Sequence, residues 1–243
     1  MFGYGIDKKT LYIVAGILVI ISLFSYGTDG IIDLLLSVPA VLIAITVHEF
    51  GHAFAAYKLG DDTPVRQGRL SLNPFDHIDP LGIAMLLFAH IGWGKPVEID
   101  PRNYNRNISV EKADAIVSFA GPLMNFVLAI IFTLIYCAIY KFASTSFLVS
   151  TIGGIIMLLI STTISINIGL GVFNLIPLPP LDGSKIIMPF LPYKAKEFFV
   201  NNEQIFYIVF VLLWITGLAG TIITPAINWV SKGILALGKM IFR

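Results

Sequence analysis

The sequence predicts an all-α polytopic membrane protein, with about six transmembrane helices and a re-entrant or short β element on the cytoplasmic side. Three observations carry this. Only 13% of the 243 residues are charged while 56% are hydrophobic, and mean hydropathy is +0.85; soluble domains carry roughly 25% charged residues. Apolar runs of the length a bilayer demands, about 20 residues, recur along the chain. The longest polar stretches, residues 58–80 and 94–112, are too short for an appended soluble domain, so residues 1–243 read as one membrane domain. Sixteen Lys and Arg against fifteen Asp and Glu leave a net charge of +1, which gives no polybasic face for nucleic acid.

The first run, 11–26, follows Asp7-Lys8-Lys9, and its SYGTDG tail lacks a small-residue cleavage pattern, so a retained helix is expected. Residues 31–60, 113–140, 147–176 and 205–223 give four further spans. Residues 225–242, which carry Lys232 and Lys239, form a sixth, amphipathic span or lie at the interface. The 81–93 segment is too short to cross with ease and reads as re-entrant or interfacial. Residues 92–99 set Val and Ile beside Gly and Pro, which suits an exposed edge strand able to accept an extended peptide. An N-terminus in the cytoplasm puts twelve of the sixteen basic residues on that side, with Lys141 outside, as the positive-inside rule requires for a multi-pass protein of the cell membrane.

The second run reads AITVHEFGHAFAAYKLG. His48 and His52 are four apart and stack on one helix face, where both imidazoles reach a single metal ion with Glu49 beside the open position. Cys137 is the only cysteine, so a metal must use His and carboxylates. A carboxylate near mid-membrane costs about 2.5 kcal/mol or more, which a bound metal would offset; polar groups satisfying one another between helices, or a proton relay, is the plainer alternative. A third ligand has three candidates, Asp182, His90 and His77. Asp182 lies in FNLIPLPPLDGSK, where Pro177, Pro179 and Pro180 prevent a regular helix, and irregular chain at membrane depth is tolerated only where it lines a cavity. His90, in the 81–93 segment, is its rival. His77 in LNPFDHIDP reads as a solvated loop or capping residue, and Asp61, Asp62, Asp76, Asp79 and Asp100 as loop surface. Asn125, in SFAGPLMNF, either donates to a developing oxyanion or makes an interhelical hydrogen bond where Gly121 lets helices approach; Asn174 is a weaker case. His52 lies eight residues before Gly60, about 12 Å below the cytoplasmic helix end, and Asp182 closes a span on the same side. The site is therefore expected nearer the cytoplasmic face.

HEFGH within a span, AGPLMNF in a later one and FNLIPLPPLDG closing the next, in this order and spacing, resemble the site-2 protease family of intramembrane zinc metalloproteases. LSLNPFDHIDPLG and GWGKPV are similar to its minimal prokaryotic branch without PDZ or CBS modules, and the resemblance covers roughly residues 40–190. It implies one Zn2+ per chain held by His48, His52 and Asp182, with Glu49 as catalytic base and Asn125 assisting substrate or transition-state binding. It further implies hydrolysis of peptide bonds within or near the spans of single-span membrane proteins, in regulated intramembrane proteolysis or clearance of signal-peptide remnants. A helical substrate hides its peptide bonds, so helix-weak residues near the cut should help it unwind. The competing reading is a zinc-binding membrane protein that does not cleave, a transporter or chaperone-like pseudoprotease, in which Glu49 would be dispensable.

Overall fold

The computed structural model describes residues 28–79, 82 and 94–242. The run expected at 11–26 lies outside them, as does most of the 81–93 segment, His90 included. Helix α1 spans Thr28–Lys58 and passes through Pro39. It stops because Gly60 turns the chain at φ 106°, a left-handed conformation that side chains disfavour, and the Leu59 carbonyl accepts from the Asn105 amide. A single turn, α2 (Thr63–Arg66), follows, and then 3-10 turns at Pro74–Asp76 and Pro101–Asn103. Two long helices come next, α3 (Val110–Phe142) and, after the one-turn α4 (Thr145–Leu148), α5 (Thr151–Asn174). The chain closes with α6 (Asp182–Ile187), a 3-10 turn at Met188–Phe190, α7 (Tyr193–Asn201), α8 (Glu203–Ile215) and α9 (Leu218–Ile241).

Helix α3 shows how this sequence suits lipid. Its buried stripe, Ala113, Val117, Gly121, Asn125, Ala129, Thr133 and Cys137, repeats every four residues and is mostly small or polar. Its exposed stripe, Ile116, Phe119, Leu123, Val127, Ile131 and Ile135, is large and apolar. Water would drive the opposite arrangement; in a bilayer, small residues let backbones approach and polar groups hydrogen-bond between helices. Helices α1, α3 and α5 pack together on such faces, and α6 sits against α3. Residues Ser37–Lys58 of α1, and all of α3 and α5, are long and apolar enough to cross a membrane.

Two expectations are corrected. The span predicted at 205–223 is broken: α8 ends at Ile215, Gly217 takes φ 73°, and α9 leaves at 81° to α8. The Gly217 amide turns back to the Trp214 carbonyl, and the left-handed conformation that Gly217 allows ends α8 there. With 13 residues, α8 reaches only about 20 Å, short of the roughly 30 Å hydrocarbon core, so α8 and α9 together give at most one further span. The edge strand expected at 92–99 is likewise not formed: among the described residues there is no strand. Residues 94–100 run without a ladder partner and spend their amides elsewhere, Lys95 on the His77 carbonyl and Val97 on the Glu49 carboxylate.

Candidate metal centre

Helix α1 carries His48, Glu49 and His52 inward, with both histidines buried. Their Nε2 atoms lie 3.1 Å apart, and each lies 3.2 Å from Oδ2 of Asp182. Asp182 opens α6 after the irregular segment 175–181, and only glycine fits behind it: a Cβ at Gly183 would strike the carbonyl oxygens of Leu175 and Ile176. Three residues from two distant parts of the sequence thus offer one ligand atom each to a common point.

The hydrogen bonds around these residues say what that point can hold. The His52 Nδ1 lies 2.8 Å from the Val117 carbonyl, which can only accept, so this nitrogen carries the proton. Val117 lies on the face of α3 that packs against α1. The His48 Nδ1 donates to Oδ1 of Asn125 at 2.7 Å. Both Nε2 atoms therefore carry lone pairs, and they face each other and a carboxylate oxygen with no hydrogen to share. Oδ2 of Asp182 is buried and finds no hydrogen-bond partner. Such a cluster repels itself unless a cation fills it. The edges of a tetrahedron around an ion with bonds of about 2.0–2.1 Å measure about 3.3–3.4 Å, close to the three separations here, so the residues fit zinc. His90 was the rival third ligand and lies outside the described residues, whereas Asp182 is in place.

Glu49 is half-buried on the same helix, and its Oε2 accepts the Val97 amide at 3.0 Å. Segment 94–100 is pinned on both sides of that contact. The His77 carbonyl accepts from the Lys95 amide at 2.8 Å, and Oδ2 of Asp61 accepts from the Asp100 amide at 2.8 Å. Two loop-surface expectations are corrected here. Asp61 is fully buried, accepting also from the Thr63 amide and hydroxyl and from Asn103 Nδ2. Burial pushes its carboxyl up, but these hydrogen bonds outweigh it and hold the group below the usual carboxylate range. His77 is also fully buried, its Nε2 donating to the Ser71 carbonyl at 2.8 Å. Asp62 is exposed as expected.

Asn125 is fully buried on α3, and both its amide hydrogens are taken, by the Ala44 carbonyl and by Oδ1 of Asn167, each at 2.9 Å. The geometry gives it an interhelical bond and the orientation of His48, and leaves no hydrogen for an oxyanion. Gly121 does more than admit a neighbouring helix, because a Cβ there would lie 2.5 Å from His52 Nε2. Sequence reading missed Asn167, the Val117 carbonyl and the Val97 amide. Only Asn167 carried a signal, an amide in an apolar run, and it was hidden among Ser161, Thr162, Thr163 and Ser165.

Comparison with known proteins agrees with this geometry. The family model described as "Peptidase family M50" matches residues 37–216, well over half of the chain. The chain is 35% identical over 206 residues to "Putative zinc metalloprotease YwhC" of Bacillus subtilis, covering 85% of this chain and 92% of the relative. It is 30% identical over 197 residues to "Putative zinc metalloprotease Rip2" of Mycolicibacterium smegmatis, covering 80% and 69%. It is 25% identical over 210 residues to "Putative zinc metalloprotease MJ0611" of Methanocaldococcus jannaschii, covering 86% and 96%. No solved structure matches the chain. With apolar helices built for a bilayer, a His-His-Asp group fit for a metal and this match, the chain belongs to peptidase family M50, the membrane-embedded site-2 protease family of zinc metalloproteases.

Proposed function

We propose that the protein is an intramembrane protease that hydrolyses peptide bonds within or near the spans of single-span membrane proteins, using one Zn2+ held by His48, His52 and Asp182. The observation that carries this is the convergence of two lone-pair imidazole nitrogens and a carboxylate oxygen at 3.1–3.2 Å, beside Glu49 and among helices that face lipid. Zinc, when bound, polarises a carbonyl and lowers the pKa of water, so that a nucleophile forms near neutral pH.

The chain's own residues do the rest. Glu49 accepts the proton of the attacking water and returns it to the leaving amine, the two halves of general acid–base catalysis. The Val97 amide holds Oε2 of Glu49, and no hydrogen bond among the described residues takes Oε1, the oxygen that would do this work. Asn125 assists the transition state indirectly, by aiming His48. A substrate span has to unwind before its peptide bonds are exposed, which favours sequences weak in helix formers at the cut.

The distribution of Lys and Arg supports an orientation in the cell membrane that sets the site nearer the cytoplasm, from which water and products would exchange. The test is reconstitution of purified, zinc-loaded protein in vesicles with a single-span reporter, reading the products by mass. Cleavage within or beside the span, lost in Glu49→Gln, is the expected result. A folded, zinc-loaded protein that cuts no such reporter but cuts soluble peptides would refute the intramembrane role.

A further inference from the structure

The orientation of His48 is set by a chain of hydrogen bonds that ends two helices away. Asn167 on α5 donates Nδ2 to the Thr163 carbonyl at 2.8 Å. Its Oδ1 accepts from Asn125 Nδ2 at 2.9 Å, and Oδ1 of Asn125 accepts from His48 Nδ1 at 2.7 Å. Both amides are fully buried. An amide has one donating and one accepting end, so each link dictates the direction of the next. The Thr163 carbonyl can only accept, which turns the oxygen of Asn167 toward Asn125. That oxygen in turn can only accept, so Asn125 must present its NH2 and turn its own oxygen to His48. His48 then has to carry its proton on Nδ1, leaving Nε2 bare toward Asp182.

Were Asn125 rotated by half a turn, its NH2 would face His48 Nδ1 and force the proton onto Nε2, where it excludes a metal. Only the Ala44 carbonyl would resist that rotation without Asn167. We propose that Asn167 is a positioning residue for metal binding, which selects the amide orientation of Asn125 and through it the tautomer of His48. This rests on the reading of His48 as a metal ligand. A helix-to-helix glue role for Asn167 would support packing and leave metal affinity alone. The chain of directed bonds instead couples Asn167 to the metal with no contact between them.

The test compares full-length wild type, Asn167→Leu, Asn125→Ala and the double variant in detergent, measuring zinc affinity by chelator competition and folding by thermal melting. Leu keeps the branching at Cγ and removes both hydrogen bonds of Asn167. Zinc affinity should fall about 10–100-fold in Asn167→Leu, the usual effect of losing an outer partner of a ligand. Asn125→Ala removes the link between Asn167 and His48, so in that background Asn167→Leu should cost no further zinc affinity. If Asn167→Leu fails to fold, Asn167→Ala carries the same comparison. Unchanged zinc affinity in a folded Asn167 variant, or the same loss in both backgrounds, overturns the proposal. Absence of zinc binding in folded wild type would refute the metal site itself, a separate outcome.

Discussion

Gly121→Ala adds one methyl group at the point where α3 passes the two histidines. Its carbon would sit 2.5 Å from Cε1 and Nε2 of His52 and 2.9 Å from Cε1 of His48. Carbon atoms rest comfortably at about 3.5–4.0 Å, so relief requires the rings or α3 to move by about 1 Å. His52 has little freedom to comply, since its Nδ1 is held by Val117, a residue of α3 itself. Overpacking of this kind costs about 1–3 kcal/mol, partly offset by the roughly 0.5–1 kcal/mol that alanine gains over glycine inside a helix. Melting in detergent should therefore shift only modestly. The site should suffer far more, because constellations of this type tolerate about 0.5 Å of misplacement and a 1 Å error can cost about 100-fold in rate. The assay is zinc per chain after dialysis against a weak chelator, with initial cleavage rates on a single-span reporter. Zinc loss and a rate fall of that order are expected from a folded variant. A folded Gly121→Ala protein with full zinc and near wild-type cleavage would refute the packing argument.

Glu49→Gln should keep its zinc and lose about 10²–10⁴-fold in cleavage rate, as removal of a general base does; metal analysis beside kinetics reads both. Val97→Pro removes the amide that holds Glu49, so cleavage should fall about 10-fold or more while zinc content stays near wild type, matching a hydrogen bond to a charged group worth about 1.5–3 kcal/mol. Asp61→Ala strands the amides of Thr63 and Asp100 and should lower stability by about 2–3 kcal/mol in thermal melts. Because the folded Asp61 carboxyl lies below its unfolded value of about 3.9, its contribution is full above about pH 4 and fades as pH falls through the folded value. Wild type should therefore lose more stability than Asp61→Asn on acidification below about pH 4.

What the sequence disclosed and what it hid follow a physical line. His48, Glu49 and His52 lie on one helix, so a spacing of four residues was enough to place them together. Asp182 was legible because three prolines marked irregular chain at membrane depth, a rare and costly arrangement. The break at Thr216–Gly217 was harder to read, since apolar residues continue on both sides of it and one left-handed glycine ends the helix. The same holds for Asp61 and His77. Their polar neighbours suggest a wet loop, but their partners are main-chain groups and side chains up to 42 residues away, which no local pattern records. The Val97 amide has no sequence signature at all, since every residue but proline carries one.

The most direct measurement is zinc per chain in purified wild type, Glu49→Gln and Asp182→Ala, each shown to be monodisperse and folded in detergent. About one zinc in wild type and in Glu49→Gln is expected from a site that fits a single ion, with marked loss in Asp182→Ala, where one of the three convergent ligand atoms is gone. Full zinc in Asp182→Ala, or none in well-folded wild type, would contradict the metal centre drawn from His48, His52 and Asp182.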